Sequence, residues 1–246
     1  MKSRDMPKYR NEWKYLLSRE EAAALRLRIG PVLKLDPHAG PDGYMIRSLY
    51  FDDYFNSAFE EKEMGIQFRK KYRIRIYNCS DENIKLECKH KAGSYIWKED
   101  APLTREAVEL ILAGNYDFLL KSPNNLCRRF YVECVSQVMR PRVIVDYERI
   151  PYIMETGTVR ITFDRRVRSA LMGYDIFDSE LPAMEVLKEG TEIMEVKFTE
   201  FLPQIIRTIL PPAAAEFTAL SKYVLCYQKT QYRHGWGYWE DQGGQI

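Results

Sequence analysis

Hydrophobic and polar positions alternate with a period of two over eight segments of the chain, which is the side-chain period of a β-strand. In other segments, apolar residues recur every three or four positions, as on one face of a helix. The alternation predicts strands at residues 8–17, 43–51, 67–77, 83–91, 93–100, 140–150, 157–164 and 192–198. The helical spacing predicts helices at residues 18–30, 104–114, 124–137, 201–209 and 218–228. Because the two kinds of segment interleave, the pattern predicts an α+β fold.

The predicted strands carry charge on one of their two faces. Successive side chains of a strand point to opposite faces, so Arg73 and Arg75 share one face while Ile74 and Ile76 share the other. A charged face usually lies in solvent. Repetition weakens that interpretation here, because five strands place Arg or Lys two positions from another charge. Three of them repeat the pattern Glu-x-Lys, at Glu12 and Lys14, Glu87 and Lys89, and Glu195 and Lys197.

The predicted helices can cover the apolar faces of the strands, which would turn the charged faces inward. Like charges at close range repel, so an inward ring of cations persists only in a wide, wet barrel or around a polyanion. Arg and Lys both bind phosphate oxygens, which indicates a chain of phosphates as the ligand. The carboxylates among these cations, Glu12, Glu87 and Glu195, are then candidate ligands for Mg²⁺ or Mn²⁺.

The charge of the whole chain is almost balanced, with 37 Lys and Arg against 35 Asp and Glu and a formal net charge of +2. This balance excludes a uniformly basic surface for generic nucleic-acid binding, but it does not describe how the cations are arranged. Hydrophobic residues are 46% of the 246 positions, which suffices for a sizeable core. We expect one domain over residues 1–230, followed by a C-terminal tail at 231–246.

The sequence also bears on the compartment. No apolar run approaches the ~20 residues that span a bilayer, and the first residues lack the features of a secretory signal. The five cysteines include no C-x-x-C pair, so neither a zinc site nor a disulfide framework is indicated. We therefore expect a cytoplasmic protein with reduced cysteines.

An ordered set of motifs resembles the VTC domain, the polyphosphate polymerase domain of vacuolar transporter chaperones, within the triphosphate tunnel metalloenzyme (CYTH-like) superfamily. A single motif carries little information, and the resemblance rests on their order from about residue 8 to about residue 228. The motifs are Arg10-x-Glu12-x-Lys14-Tyr15, Arg47-Ser48-Leu49-Tyr50-Phe51-Asp52-Asp53, Lys71-Tyr72-Arg73-Ile74-Arg75-Ile76-Tyr77, Glu87-x-Lys89, Tyr147-Glu148-Arg149, Val159-Arg160-Ile161-Thr162-Phe163-Asp164, Glu195-Val196-Lys197 and Ser221-Lys222-Tyr223.

The resemblance implies a closed antiparallel barrel of about eight strands, which forms a tunnel, with helices packed outside. It implies ATP or another nucleoside triphosphate in the tunnel with Mn²⁺ or Mg²⁺, and transfer of its terminal phosphate onto a growing polyphosphate chain. The expected partners are thus the triphosphate and inorganic polyphosphate or pyrophosphate, without nucleic acid.

The resemblance also assigns roles to individual residues. Glu195 is the expected metal ligand, with Glu12 and Glu87 assisting it, and Lys222 is expected at a tunnel mouth. The residues expected to hold phosphate are Lys14, Arg73, Arg75, Lys89, Lys98, Arg149, Arg160, Lys197 and Lys222.

Two features depart from the family pattern. Yeast-type members carry a phosphate-sensing domain and membrane helices, and neither is recognised here, so any membrane partner would be encoded separately. Arg142 and Arg149 have opposite parity on their predicted strand, so both face inward only across a β-bulge. We expect Arg149 in the tunnel, and Arg140 and Arg142 at the rim or outside.

Three functions remain compatible with these residues. The favoured hypothesis is a polyphosphate polymerase. A triphosphatase would use the same tunnel, because water and a phosphate acceptor compete for the same phosphoryl group. A module that binds polyphosphate without turnover is the third. Nucleic-acid binding is disfavoured, since the basic strands alternate with Ile and Val rather than with the aromatic residues that stack on bases.

Overall fold

The computed structural model describes residues 11–93, 95–199, 201–211 and 220–231. The strands in these ranges are β1 Asn11–Ser18, β2 Lys34–Leu35, β3 Tyr44–Asp52, β4 Phe68–Tyr77, β5 Ser80–Ala92, β6 Tyr95–Leu103, β7 Arg140–Met154, β8 Val159–Ala170, β9 Ala183–Glu185 and β10 Thr191–Phe198. The helices are α1 Arg19–Ile29, α2 Ser57–Glu63, α3 Arg105–Leu112, α4 Asp117–Leu120, α5 Asn125–Ser136, α6 Gln204–Ile209 and α7 Lys222–Thr230. Each of the eight long strands corresponds to one predicted from the alternation. The four elements that the sequence pattern does not predict are β2, β9, α2 and α4.

The strands form one antiparallel sheet, and the chain has the predicted α+β fold. The hydrogen-bonded path runs β1-β10-β8-β7-β3-β4-β5-β6, with β2 on β7 and β9 on β8. This path ends at β1 and β6, which do not pair within the described residues, so the expected closed barrel is not confirmed. The sheet is nevertheless strongly curved. Its curvature is evident from the distance of 3.4 Å between Lys89 Nζ on β5 and Glu12 Oε2 on β1, which lie far apart in the strand order. The curvature creates a concave face.

Most of the helices cover the convex face, as expected. The N-terminus of α1 has a capping box in which Ser18 and Glu21 each accept the other's backbone N–H. Its buried stripe, which includes Leu25 and Ile29, packs with α6 over β1, β10 and β8. A second core lies under α3, α4 and α5 and includes Phe130. These contacts bury the apolar faces of the strands and leave the charged faces on the concave side.

Helix α7 differs from the expectation that helices pack outside. Its residues Tyr223 and Val224 share a core with Tyr147, which lies on the same face of the sheet as Arg149. The hydroxyl of Thr230 at the end of α7 donates to the Cys226 carbonyl and lies 3.2 Å from that of Ser169 on β8. Helix α7 therefore occupies part of the concave face, and narrows it.

The positions of the arginines on β7 follow from irregular pairing. The register of β7 shifts against β3 between Tyr50 and Phe51, and against β8 between Asp146 and Glu148. Arg149 faces the concave side, as expected. Arg142 is 5% exposed and donates to the Asp53 carbonyl at 2.8 Å, so its expected position at the rim or outside is wrong. The bulge near the start of β7 turns this side chain into the protein.

In the described part of the chain, no helix combines the length and the apolar character that crossing a membrane requires.

Candidate active site on the concave face

A cavity of about 340 Å³ opens on the concave face, and its lining is strongly basic. Eleven of the lining residues are Lys or Arg, and only Glu12 and Glu195 are acidic. The eleven cations are Lys14, Lys62, Arg69, Lys71, Arg73, Arg75, Lys89, Lys91, Arg149, Lys197 and Lys222. Such an excess of one charge in a recess attracts anions.

Glu195 on β10 organises one part of this cavity. Lys222 from α7 donates to its Oε1 at 2.8 Å, and Lys197 donates to its Oε2 at 2.9 Å. Lys14 on β1 approaches Oε1 at 3.8 Å, and also approaches Glu12 at 3.2 Å. Lys197, Lys222 and Lys14 together hold the pKa of Glu195 well below its usual value despite burial, so it is an anion.

Arg149 and Lys222 are anchored by a second buried carboxylate. The guanidinium of Arg149 binds Asp164 through two hydrogen bonds of 2.6 and 2.7 Å. Lys222 Nζ contacts Asp164 at 2.5 Å as well as Glu195, and its side chain is only 9% exposed. These two carboxylates raise the pKa of Lys222. Asp164 is thus a buried partner of Arg149 and Lys222.

A second part of the cavity contains two arginines held by tyrosines. Arg73 donates to the Tyr50 hydroxyl at 2.8 Å, and Arg75 donates to the Tyr147 hydroxyl at 3.1 Å. Arg73 also binds Glu87 through contacts of 2.6 and 2.7 Å. No carboxylate lies within 4 Å of Arg75 among the described residues, which leaves its charge available to a ligand.

Like charges face each other at the third part of the cavity. In the β4–β5 register, Arg69 pairs with Lys91 and Lys71 pairs with Lys89. Directly opposed like charges destabilise a sheet. Within the described residues, only Lys89 of these four has a carboxylate within 4 Å, namely Glu12. Arg69, Lys71 and Lys91 therefore have no carboxylate within that distance among the described residues.

Burial and nearby cations lower the pKa values of Lys71 and Lys89. Burial, together with the charges of Arg69 and Lys62, lowers the pKa of Lys71 from 10.5 to about 7. Burial lowers the pKa of Lys89 to about 8 against the attraction of Glu12. An anion bound here would relieve the repulsion and restore the positive charge.

Nine of the twelve site residues expected from the sequence line the cavity, and Lys98, Arg160 and Glu87 do not. Glu87 is held by two cations. Lys98 binds its Oε1 at 2.7 Å, and Arg73 binds its Oε2 at 2.6 Å. Arg160 binds Asp36 at 3.0 Å and the Tyr44 hydroxyl at 3.3 Å, with 40% of its side chain exposed.

The structure also brings in residues that sequence reasoning did not assign to the site. Lys62 lies on α2, which the sequence pattern does not predict. Arg69 is two positions before Lys71 on the charged face of β4, so extending the alternation would have found it. Tyr50 and Tyr147 belong to recognised motifs, but no signal in the sequence indicates that their hydroxyls hold arginines.

The chemistry of the donor set fits a divalent metal only when the substrate supplies further ligands. Across the described ranges, no group of three or more His, Cys, Asp or Glu side chains could hold a metal ion. Glu12 and Glu195 line the same cavity and approach the same ammonium of Lys14, at 3.2 and 3.8 Å. Nearby lysines lower the pKa of Glu12 to about 2, so both are ionised. Mg²⁺ commonly binds one or two carboxylates together with substrate phosphates.

Comparisons with known proteins identify a family and agree with the fold. The model of the VTC domain family matches residues 9–231. A candidate adenylyl cyclase from Hippeastrum, with a dominant triphosphatase activity, has a similar fold at a TM-score of 0.55 and 14% identity, covering 89% of this chain and 95% of that one. A candidate adenylate cyclase from Bacillus halodurans has a TM-score of 0.50 at 14% identity, covering 87% and 93%. A search of curated proteins found no match.

Proposed function

The chain belongs to the VTC domain family, and from that premise we propose that it is a metal-dependent polyphosphate polymerase. Its substrate is ATP or another nucleoside triphosphate, whose terminal phosphate is transferred onto inorganic polyphosphate in the concave cavity. The metal would be Mn²⁺ or Mg²⁺, and Glu195 and Glu12 would hold it together with phosphate oxygens of the substrate.

The observation that carries this proposal is the length of the basic lining. Along β4, the lining cations run from Arg75 to Arg69, six residues apart. At ~3.3 Å per residue, this stretch is ~20 Å long, which exceeds the length of three linked phosphates. A lining of this length favours a ligand with more phosphates than a triphosphate has.

The side chains of the cavity act by binding and by compensating charge. Arg73 and Arg75 are held by tyrosine hydroxyls, so their guanidinium groups are already oriented toward phosphate oxygens. Phosphoryl transfer needs little covalent participation from protein groups, and its rate depends on positioning and on stabilising charge on the oxygens. A bound divalent cation would supply further stabilisation of that charge.

The two ends of the lining would have different tasks. The triphosphate lies near Glu195, where lysines and Arg149 are already paired and ordered. The chain that accepts the phosphate lies along Arg69, Lys71 and Lys91, which lack carboxylate partners among the described residues. The anionic acceptor needs no deprotonation by a protein base, because its attacking oxygen already carries charge.

Hydrolysis is the second candidate function. The similar Hippeastrum protein has a dominant triphosphatase activity, and the same cavity would transfer phosphate to water if no chain occupied the acceptor end. Binding of polyphosphate without turnover is the remaining alternative.

Incubation of the pure protein with ATP and Mn²⁺ or Mg²⁺ separates these functions. We expect long polyphosphate, visible as a ladder on a gel. Release of orthophosphate without a ladder would instead support the triphosphatase. Tight polyphosphate binding without turnover, with either metal, would support the binding module.

Substitution of Glu195 tests the assignment of the site. Glu195→Gln removes a charge that would hold the metal, so metal-dependent turnover should fall by at least about a hundredfold. Glu109→Gln, on the exposed side of α3 with 58% of the side chain accessible, is the matched control and should keep full activity. Thermal unfolding must show that both variants fold. Full activity of folded Glu195→Gln would reject this site.

A further inference from the structure

Tyr223 on α7 connects three parts of the concave face. Its hydroxyl donates to Asp52 Oδ2 at the end of β3 at 2.6 Å, and the residue is only 2% exposed. Its ring lies 5.0 Å from that of Tyr50, which accepts a hydrogen bond from Arg73. The ammonium of Lys71 lies 4.7 Å above the same ring. Tyr223 thus contacts groups on β3 and β4 that belong to the cavity.

Asp52, which accepts the hydrogen bond from Tyr223, is itself held by the backbone of α2. It is 1% exposed, and no Lys or Arg lies within 4 Å of it among the described residues. Its oxygens accept the backbone N–H groups of Ala58 and Phe59 at 2.9 and 3.1 Å, which caps α2 because Asn56 makes no side-chain cap. The Tyr223 hydroxyl therefore joins α7 to the start of α2 through one buried carboxylate.

The residue before Tyr223 is Lys222, which bridges Glu195 and Asp164. Hydrogen bonds of Ser169 on β8 with Cys226 and Thr230 hold the C-terminal half of α7. The directional hydrogen bond of Tyr223 to Asp52 holds its first turn, next to Lys222. We propose that Tyr223 is a positioning residue, whose hydrogen bond to Asp52 fixes α7 so that Lys222 reaches the two carboxylates and presents its charge to bound phosphate. The part of this inference that concerns bound phosphate rests on the proposed function, and the positioning of Lys222 does not.

Tyr223→Phe tests the proposal, because it keeps the ring and its contacts with Tyr50 and Lys71 and removes only the hydrogen bond. Tyr227→Phe is the matched control, since the hydroxyl of Tyr227, one turn later on α7, has no hydrogen-bond partner among the described residues. The probe is inorganic tripolyphosphate, titrated by calorimetry at a temperature where all variants are folded. We expect at least about fivefold weaker binding for Tyr223→Phe, and a change of less than about twofold for Tyr227→Phe.

A double-mutant cycle with Lys222→Met distinguishes positioning from a general structural role. If Tyr223 acts through Lys222, the effect of Tyr223→Phe on tripolyphosphate binding disappears in the Lys222→Met background. An undiminished effect in that background, or unchanged binding of Tyr223→Phe itself, would overturn the proposal.

A crystal structure of Tyr223→Phe gives a readout that does not depend on phosphate binding. We expect Lys222 Nζ to move away from Glu195, with which it makes a 2.8 Å contact in the parent protein. An unmoved Lys222 would refute the positioning role even if the protein polymerises phosphate. Conversely, a protein that forms no polyphosphate but shows the displaced lysine would refute the proposed function and uphold the positioning role.

Discussion

Lys71 shows how the fold sets the charge of a single side chain. Its ammonium lies 4.7 Å above the ring of Tyr223. Burial, together with the nearby cations of Arg69 and Lys62, disfavours its charged form. With its pKa lowered to about 7, a large share of Lys71 is neutral in the free protein near neutral pH. A bound polyphosphate adds negative charge nearby, which favours the protonated form and raises this pKa.

Polyphosphate binding at pH 8 should therefore be coupled to proton uptake. Because the pKa of free Lys71 is lowered, the cation is present below about pH 7 and is lost as the pH rises, so affinity should fall from pH 7 to pH 9. Calorimetry in buffers of different ionisation enthalpy measures the uptake. Lys71→Gln should reduce the proton uptake, and equal uptake in both proteins would mean that Lys71 does not titrate on binding.

Glu87 illustrates a different residue-scale effect, because it does not line the cavity and instead binds two neighbouring cations. Its side chain is 2% exposed and is bound by Arg73 and Lys98, which lower its pKa from 4.5 to about 2. The depressed pKa means that this stabilisation is present above about pH 4.5 and is lost as the pH falls toward 2.

Glu87→Gln should lower the free energy of unfolding at pH 7 by about 3 kcal/mol, because it leaves Arg73 without its buried partner. Asp100→Asn is the control: Asp100 also contacts Lys98, at 3.4 Å, but is 42% exposed, and its loss should cost less than about 1 kcal/mol. Urea unfolding between pH 7 and pH 3 measures both. A cost for Glu87→Gln that does not shrink toward acid pH would contradict the assigned ionisation.

At the scale of elements, the paired strands β4 and β5 carry the feature that sets this cavity apart. Two successive cross-strand pairs on one face, Arg69 with Lys91 and Lys71 with Lys89, oppose like charges. The next pair on that face, Arg73 with Glu87, opposes unlike charges. The like-charge pairs lower stability without a ligand, which is consistent with a bound anion in the working state.

Arg69→Gln/Lys91→Gln should weaken binding of long polyphosphate by at least about tenfold, and change tripolyphosphate binding by less than about twofold. The free protein should become slightly more stable, because one like-charge pair is removed. Arg19→Gln/Lys34→Gln, which removes an Arg and a Lys from exposed positions away from the cavity, is the control for net charge. Equal losses for both phosphate lengths would place this pair in the triphosphate site.

The element scale also shows what the sequence could predict. Alternation located the eight long strands, because in most of them one face is buried and the other carries charge. β7 is buried on both faces, since α7 covers part of its concave side. It did not predict α2 or α4, which have seven and four residues and are too short for a helical period to be evident. The sequence also could not predict that α7 lies on the concave face. An apolar stripe such as Tyr223 and Val224 predicts a buried helix face, but it does not indicate which face of the sheet the helix covers.

At the scale of the whole molecule, curvature decides which inward side chains reach the cavity. Nine of the twelve residues expected in the site line the cavity, whereas the parity argument misplaced Arg142 because the pairing of β7 is irregular. Arg160 does not line the cavity, because Asp36, from the turn that follows β2, binds it at 3.0 Å. No local pattern in the sequence reports that contact, since the two residues are distant in the chain.

The near-neutral charge of the chain conceals a strong separation of charge. The sum over the sequence is +2, whereas the cavity is lined by eleven cations and two carboxylates. Most acidic residues of the described chain thus lie outside the cavity, whose excess of cations attracts polyanions. Together with the length of the basic lining, this separation supports the central proposal that the cavity builds a chain of phosphates.

The phosphate balance of one reaction tests that claim most directly. Pure protein is incubated with ATP and Mn²⁺, and ³¹P NMR follows ADP, orthophosphate and the internal phosphates of polyphosphate together. We predict that one polymer phosphate forms for each ADP, with little orthophosphate. A reaction in which orthophosphate matches ADP and no internal phosphate signal grows would contradict the polymerase and identify the protein as a triphosphatase.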